Sequence, residues 1–177
     1  TENTLTMAYD YNTDTWETLS SHDESNRKAL AYDIESDRII MVSEGSVTKV
    51  YDYNSDTWEN TSSHNIGNEK GLAYDVESDR VIMVEEGYLT YSYDYNTDTW
   101  ETHSSHNLGN KKAFAYDIES DLIIMVNENM STMAYDYNTD TWETLSSHDQ
   151  SNRKALAYDI ESDRIIMVYD GNGTSCL

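Results

Sequence analysis

Tyr9-Asp-Tyr-Asn-Thr-Asp-Thr-Trp16 decides the reading of this chain. It returns at 51–58, 93–100 and 135–142, each time 42 residues on, with Ser55 for Thr13 as its one change. The four tryptophans of the chain close these four stretches. A second phrase keeps the same period: Ala31-Tyr-Asp-Ile-Glu-Ser-Asp-Arg-Ile-Ile-Met-Val42, then 73–84, 115–126 and 157–168. A unit this short cannot hide its apolar side alone and must stack on its neighbours, so the 177 residues read as one domain.

Working outward, Leu5, Met7 and Tyr9 alternate with Thr4, Thr6 and Ala8, the period of a half-buried strand. Asp10 to Asp14 is a turn, because Asp and Asn bond their own backbone and tolerate turn dihedrals. Residues 15–19 form the returning strand. After a polar loop, 28–32 is a third strand, small and apolar and expected to be buried on both faces. Asp33 to Asp37 turns the chain again, and 38–42 is a β-branched fourth strand. No segment of ten or more residues shows a helical period. Four short strands per unit predict an all-β fold: a β-propeller of four four-stranded antiparallel blades. A parallel solenoid fits less well, since its coils are shorter and its turns do not make hairpins.

Tyr-Asp-x-x-x-Asp-Thr-Trp and Ala-Tyr-Asp-x-Glu-Ser-Asp-Arg-Ile-Ile resemble the kelch repeats of β-propellers, most of all the acidic kelch-like arrays of archaeal and bacterial surface proteins. The resemblance covers 4–168. It departs at the usual diglycine, where this chain has Ser43-Glu44, Glu85-Glu86, Asn127-Glu128 and Tyr169-Asp170. It implies that 28–32 is the innermost strand, followed outward by 38–42, 48–53 and 57–61. Blades then span about 28–62, 70–104 and 112–146. The last joins 154–168 with 4–20, so that the N-terminal outer strands pair with the C-terminal inner strands and leave no free sheet edge. Two other closures compete: an eight-bladed ring of two chains, or a polymer in which each end docks on a neighbour. Residues 7–42 and 133–168 differ only at Glu24 against Gln150, which points to recent duplication, engineering or excision from a longer array.

Composition narrows the function. Net charge is −23, from 34 acids and 11 bases, which repels nucleic acid and anionic membranes. No apolar run reaches transmembrane length. There is no proline, and 15 tyrosines against one phenylalanine make Tyr and Trp the aromatic core. The lone Cys176 allows no disulfide within the chain. The chain begins at Thr1, as a processed protein or a piece of a longer one does. Sequons at Asn60, Asn129 and Asn172 are candidate glycosylation sites and favour export.

Two ion sites are expected. Each unit's turns carry Asp10, Asn12 and Asp14, then Asp33, Glu35 and Asp37, or their equivalents. Such crowding should raise carboxylate pKa values or gather cations, with Ca²⁺ the weakly held candidate. The Asp-x-Asn-x-Asp spacing is not an EF-hand, because Thr15 stands at the sixth position and Ser21 at the twelfth. On the opposite face Asn26, Asn68, Asn110 and Asn152 precede Lys28, Lys70, Lys112 and Lys154, an expected anion-binding ring at the channel mouth. His22, His64, His106 and His148 keep register at the periphery, too far apart to share a metal. His103 belongs to one unit only.

No nucleophile elbow, Cys–His pair, phosphate loop or zinc spacing occurs. Catalysis needs different residues converging, whereas every polar group here comes in near-identical copies. The expectation is a non-catalytic binding or scaffold module outside the cell or at its surface, recognising a protein or glycan. The alternative is a structural subunit of a surface filament or array, joined by blade complementation between chains.

Overall fold

The computed structural model describes residues 4–23, 28–43, 47–64, 71–85, 89–106, 113–127, 131–147 and 154–169. Among them are sixteen strands and no helix. They are β1 (Thr4–Asp10), β2 (Thr15–His22), β3 (Lys28–Asp33), β4 (Arg38–Ser43), β5 (Thr48–Asp52), β6 (Thr57–Asn60), β7 (Gly71–Asp75) and β8 (Arg80–Val84). After these come β9 (Thr90–Asp94), β10 (Thr99–His103), β11 (Ala113–Asp117), β12 (Leu122–Val126), β13 (Ser131–Asp136), β14 (Thr141–Ser147), β15 (Lys154–Asp159) and β16 (Arg164–Tyr169).

Each 42-residue unit writes two hairpins through the same six-residue code, Tyr-Asp-x-x-x-Asp. The first Asp ends a strand and accepts from the turn backbone, as Asp10 Oδ1 does from Asn12 N at 2.8 Å. The last Asp takes a left-handed backbone, with φ of 51–56° at Asp14, Asp37, Asp56, Asp79, Asp98, Asp121, Asp140 and Asp163. Asp is one of the few side-chain-bearing residues that enter this region at low cost. The Tyr hydroxyl then reaches back over the turn and donates to that Asp at 2.7–3.1 Å in all eight hairpins, from Tyr9–Asp14 to Tyr158–Asp163.

The hairpins join into three four-stranded antiparallel sheets, β3-β4-β5-β6, β7-β8-β9-β10 and β11-β12-β13-β14. Register repeats between them: Ile39 faces Tyr51 and Val42 faces Thr48, as Ile123 faces Tyr135 and Val126 faces Thr132. Successive sheets stack face to face. Ala31, Ile40 and Val50 of one pack against Tyr74, Val81 and Tyr93 of the next. Ala73 and Ile82 meet Ile123 and Tyr135 in the same way. The first strands approach one another from sheet to sheet, β3 to β7, β7 to β11 and β11 to β15. That side is therefore the inside of a fan of propeller-type blades.

Two expectations are corrected. The innermost strand is not buried on both faces: Leu30 and Tyr32 of β3 are exposed, and Leu72 and Tyr116 are half-buried. Nor do the ends meet within the molecule. β1-β2 and β15-β16 remain two separate two-stranded sheets, where a single closing blade was expected. The apolar faces of both hairpins stay exposed, with Leu5, Met7 and Trp16 at one end and Ile166 and Val168 at the other.

Candidate functional site

At the N-terminal end of the fan, β1-β2 sits where the outer half of a blade belongs. It is docked on the first full sheet by the contacts that join full sheets elsewhere. Ser20 N donates to Asp56 Oδ1 at 2.8 Å, as Ser62 N does to Asp98 and Ser104 N to Asp140. Tyr53 donates to Glu17 at 2.6 Å, as Tyr95 does to Glu59 at 2.9 Å. The Trp58 indole N–H donates to Thr6 Oγ1 and Trp142 to Thr90 Oγ1, both at 3.0 Å. The outer half of the blade is thus in its ordinary position and its inner half is missing.

What the missing half leaves is a groove of about 340 Å³. Met7, Ala8 and Leu19 form its outer wall, and Leu30, Tyr32, Ile39, Tyr51 and Trp58 form its floor. The floor residues are the equivalents, one unit earlier, of Leu72, Tyr74, Val81, Tyr93 and Trp100, which receive Ile40 and Val42 in the interior. At the other end of the fan, β15-β16 packs on β11 and turns Ile166 and Val168 to solvent. An apolar floor without a lid and an apolar lid without a floor stand at opposite ends of one molecule.

The turns form the second surface of interest. Asp33 Oδ1 accepts from Glu35 N and Ser36 N, both at 3.1 Å. Asp37 accepts from Tyr32 through Oδ1 and from Asn54 Nδ2 through Oδ2 at 2.8 Å. Asn96–Asp79 and Asn138–Asp121 repeat this link between outer and inner turns. Arg38 pairs with Asp52 and Arg80 with Asp94. Of the expected cation set, Asp10, Asp14, Asp33 and Asp37 thus hold turns through their carboxylates, while Asn12 and Glu35 enter these bonds through their backbone N–H groups. Among the described residues no group of three or more His, Cys, Asp or Glu side chains could hold a metal ion.

Nor does crowding raise the carboxylates in general. Backbone and hydroxyl donors hold Asp56 below its ordinary value, through Ser20 first and Tyr51 second. Thr13 and then Asn12 do the same for Asp10. Asp75 is the exception, raised by burial. The turn tyrosines all lie above the ordinary phenol value. For Tyr9 and Tyr32 the aspartate bond is the main cause. For Tyr51, Tyr74 and Tyr135 burial leads and the aspartate bond adds to it. Tyr158 is raised to about 12 for the same two reasons.

Of the expected anion ring, Asn26, Asn68, Lys70, Asn110, Lys112 and Asn152 lie outside the described residues, and Lys28 and Lys154 are placed only as the first residues of β3 and β15. Asn129, Asn172 and His148 also lie outside. Asn60 is exposed at the end of β6, and its Oδ1 accepts from Lys49 Nζ at 2.8 Å. The other register histidines lie against the next sheet's tryptophan: His22 on Trp58, His64 on Trp100 and His106 on Trp142, with ring centroids 4.8–5.5 Å apart. Sequence reasoning missed this packing role and the groove. Both could have been found by asking what each interior residue touches one unit on.

The fold and its surfaces define a repeat protein of the β-propeller class, built from antiparallel blades around an inner side. Compared with solved structures, the chain is similar to one in a structure titled "Crystal structure of Nidogen/Laminin Complex", with a TM-score of 0.76 at 10% identity. The match covers 92% of this chain and 65% of that one, so this chain spans a little under two thirds of its neighbour's length. At that identity the likeness is one of fold. No protein-family model matches the chain, and no curated protein sequence does.

Proposed function

We propose that this chain is a non-catalytic scaffold that binds another protein in an extracellular or cell-surface setting, and that its blades are kelch-like. The observation that carries the reading is the apolar groove at the open end, a built binding surface in a molecule whose polar groups recur in identical copies. The neighbour's origin in a protein complex supports a protein partner ahead of a glycan. The test is a binding screen of the immobilised chain against extracellular-matrix proteins and a glycan array, repeated with Leu30→Asp. Leu30 is exposed, so its replacement spares the fold. A protein partner lost on substitution supports the reading. Glycan binding that survives it moves recognition to the turn face, and no binding of either kind overturns the scaffold reading.

A second reading is favoured by one further observation. The two terminal hairpins are complementary in sequence and unjoined in the molecule. The chain is then a structural subunit of a surface assembly, joined by blade complementation.

A further inference from the structure

We infer that the hairpin β15-β16 of one copy fills the groove beside β1-β2 of a second copy, making one four-stranded blade from two chains. The inference rests on the assembly reading and supplies its joint, residue by residue.

Both edges at the joint are seen paired elsewhere in the same molecule. From Met7 onward β1 repeats β13, whose Met133–Tyr135 stretch lies in the ladder with β12. The Ile165–Val168 stretch of β16 repeats Ile39–Val42 of β4, which lies in the ladder with β5. Carrying the interior register across sets Ile165 opposite Tyr9, Ile166 opposite Ala8, Met167 opposite Met7 and Val168 opposite Thr6. A one-residue slip would turn Ile166 and Val168 away from the groove, so the apolar pattern fixes this register.

The faces agree with the edges. Ile166 and Val168 are the equivalents of Ile40 and Val42, which are fully buried against the next sheet. Across the joint they would meet Leu30, Tyr32, Ile39, Tyr51 and Trp58, the floor already described. The turn contacts extend in the same way. The Arg38–Asp52 pair at 3.2 Å and the Asn54–Asp37 bond at 2.8 Å become Arg164–Asp10 and Asn12–Asp163 between copies. The occupant is a second copy because the molecule's own ends stand apart as separate sheets. Each chain carries a net charge of −23, so the joint forms against long-range repulsion and strengthens as salt rises.

The test begins with light scattering of the purified chain over a range of concentration and salt. Species of twice the 20.3 kDa chain mass or more, increasing with salt, are expected. Val168→Lys places a charge in the joint at a position that a lone chain leaves exposed. It should raise the dissociation constant about tenfold or more with the single-chain melting temperature unchanged. Two further variants, both carrying Cys176→Ser, fix the register: Thr6→Cys and Val168→Cys, mixed under mild oxidation. Residues directly opposite in an antiparallel ladder lie within disulfide reach, so a link between unlike chains is expected. A monomer at every concentration overturns both the inference and the assembly reading. Large species without the 6–168 link leave assembly standing and overturn this joint. A link that forms only within the doubly substituted single chain shows that the chain closes on itself, and overturns the second copy as occupant.

Discussion

Residues 133–142 and 7–16 have the same sequence and the same hairpin, yet one lies in the core and the other does not. Both turn through a left-handed Asp, at φ 51° and 52°, and both carry the tyrosine bond, at 2.9 and 2.7 Å. Tyr135 is 0% exposed and Tyr9 is 45% exposed. At the other end Ile40 is 0% exposed and its copy Ile166 is 49% exposed. The hairpin is therefore a property of about ten residues, and the core is a property of neighbouring units. Local bonds fix the shape of each piece, and stacking between pieces supplies the hydrophobic stabilisation.

The sharpest way to break this comparison is to cut the same side chain from both places. Ile40→Ala should lower unfolding free energy by about 2–5 kcal/mol in urea melts. Ile166→Ala should lower it by less than half as much in the isolated chain. If the two match only at concentrations where the chain assembles, Ile166 has gained the neighbour it lacks alone.

Next in size is a packing pair the repeat itself conceals. Gly71 stands where the other units have alanine, and a Cβ there would lie 1.7 Å from the Phe114 ring. Phe114 stands where the other units have leucine. Gly71→Ala should destabilise by about 1–3 kcal/mol, and adding Phe114→Leu should restore most of it. A double-mutant cycle on melting temperature measures the coupling.

The turns give a smaller contrast. Asp98→Ala puts a Cβ-bearing residue into the left-handed region with no side-chain bond, at a strain of about 1–2 kcal/mol. It also breaks the link to Ser62. Asp14→Ala takes the same left-handed strain and loses the Tyr9 bond, but it breaks no Ser62-type link between sheets and should shift the melting temperature less. Asp98→Gly should recover the backbone part and leave the inter-sheet part lost.

Acid should act through the same bonds. The folded-state values of Asp10 and Asp56 lie below the unfolded value of 3.8. Their contribution is therefore complete above about pH 4 and fades as pH falls through the lowered folded values. Unfolding monitored by circular dichroism should show little change between pH 7 and 5 and a loss of stability below about 4. The smallest effect is expected from calcium. With Asp10, Asp14, Asp33 and Asp37 already engaged, millimolar Ca²⁺ should leave the melting temperature unchanged, and a rise would support the cation-site reading.

Much of the fold was legible because the repeat is strict. Strand positions, turn positions and sheet order all follow from the Tyr-Asp-x-x-x-Asp code read twice per unit. Closure was not legible. Whether four units complete a turn depends on the angle between stacked sheets, which many side chains across each interface set jointly and no single stretch of sequence spells out. The acidic turns were legible as charge but not as bonding: Asp33 takes turn backbone N–H groups, and Asp37 takes the Tyr32 hydroxyl and the Asn54 amide. The groove escaped notice because each of its residues reads as ordinary core. Only the absence of the next unit makes Leu30 and Tyr32 a surface.

The tyrosine bond over each turn also makes the protein its own optical gauge. All eight turn phenols are held protonated beyond their ordinary range. Stability from these groups is complete below about pH 10 and is lost as alkali carries the solution through their folded values. Once one blade opens, its hydroxyls ionise and cannot donate again. The phenolate absorbance of this chain should therefore rise at higher pH, and more steeply, than that of the same tyrosines in the unfolded chain.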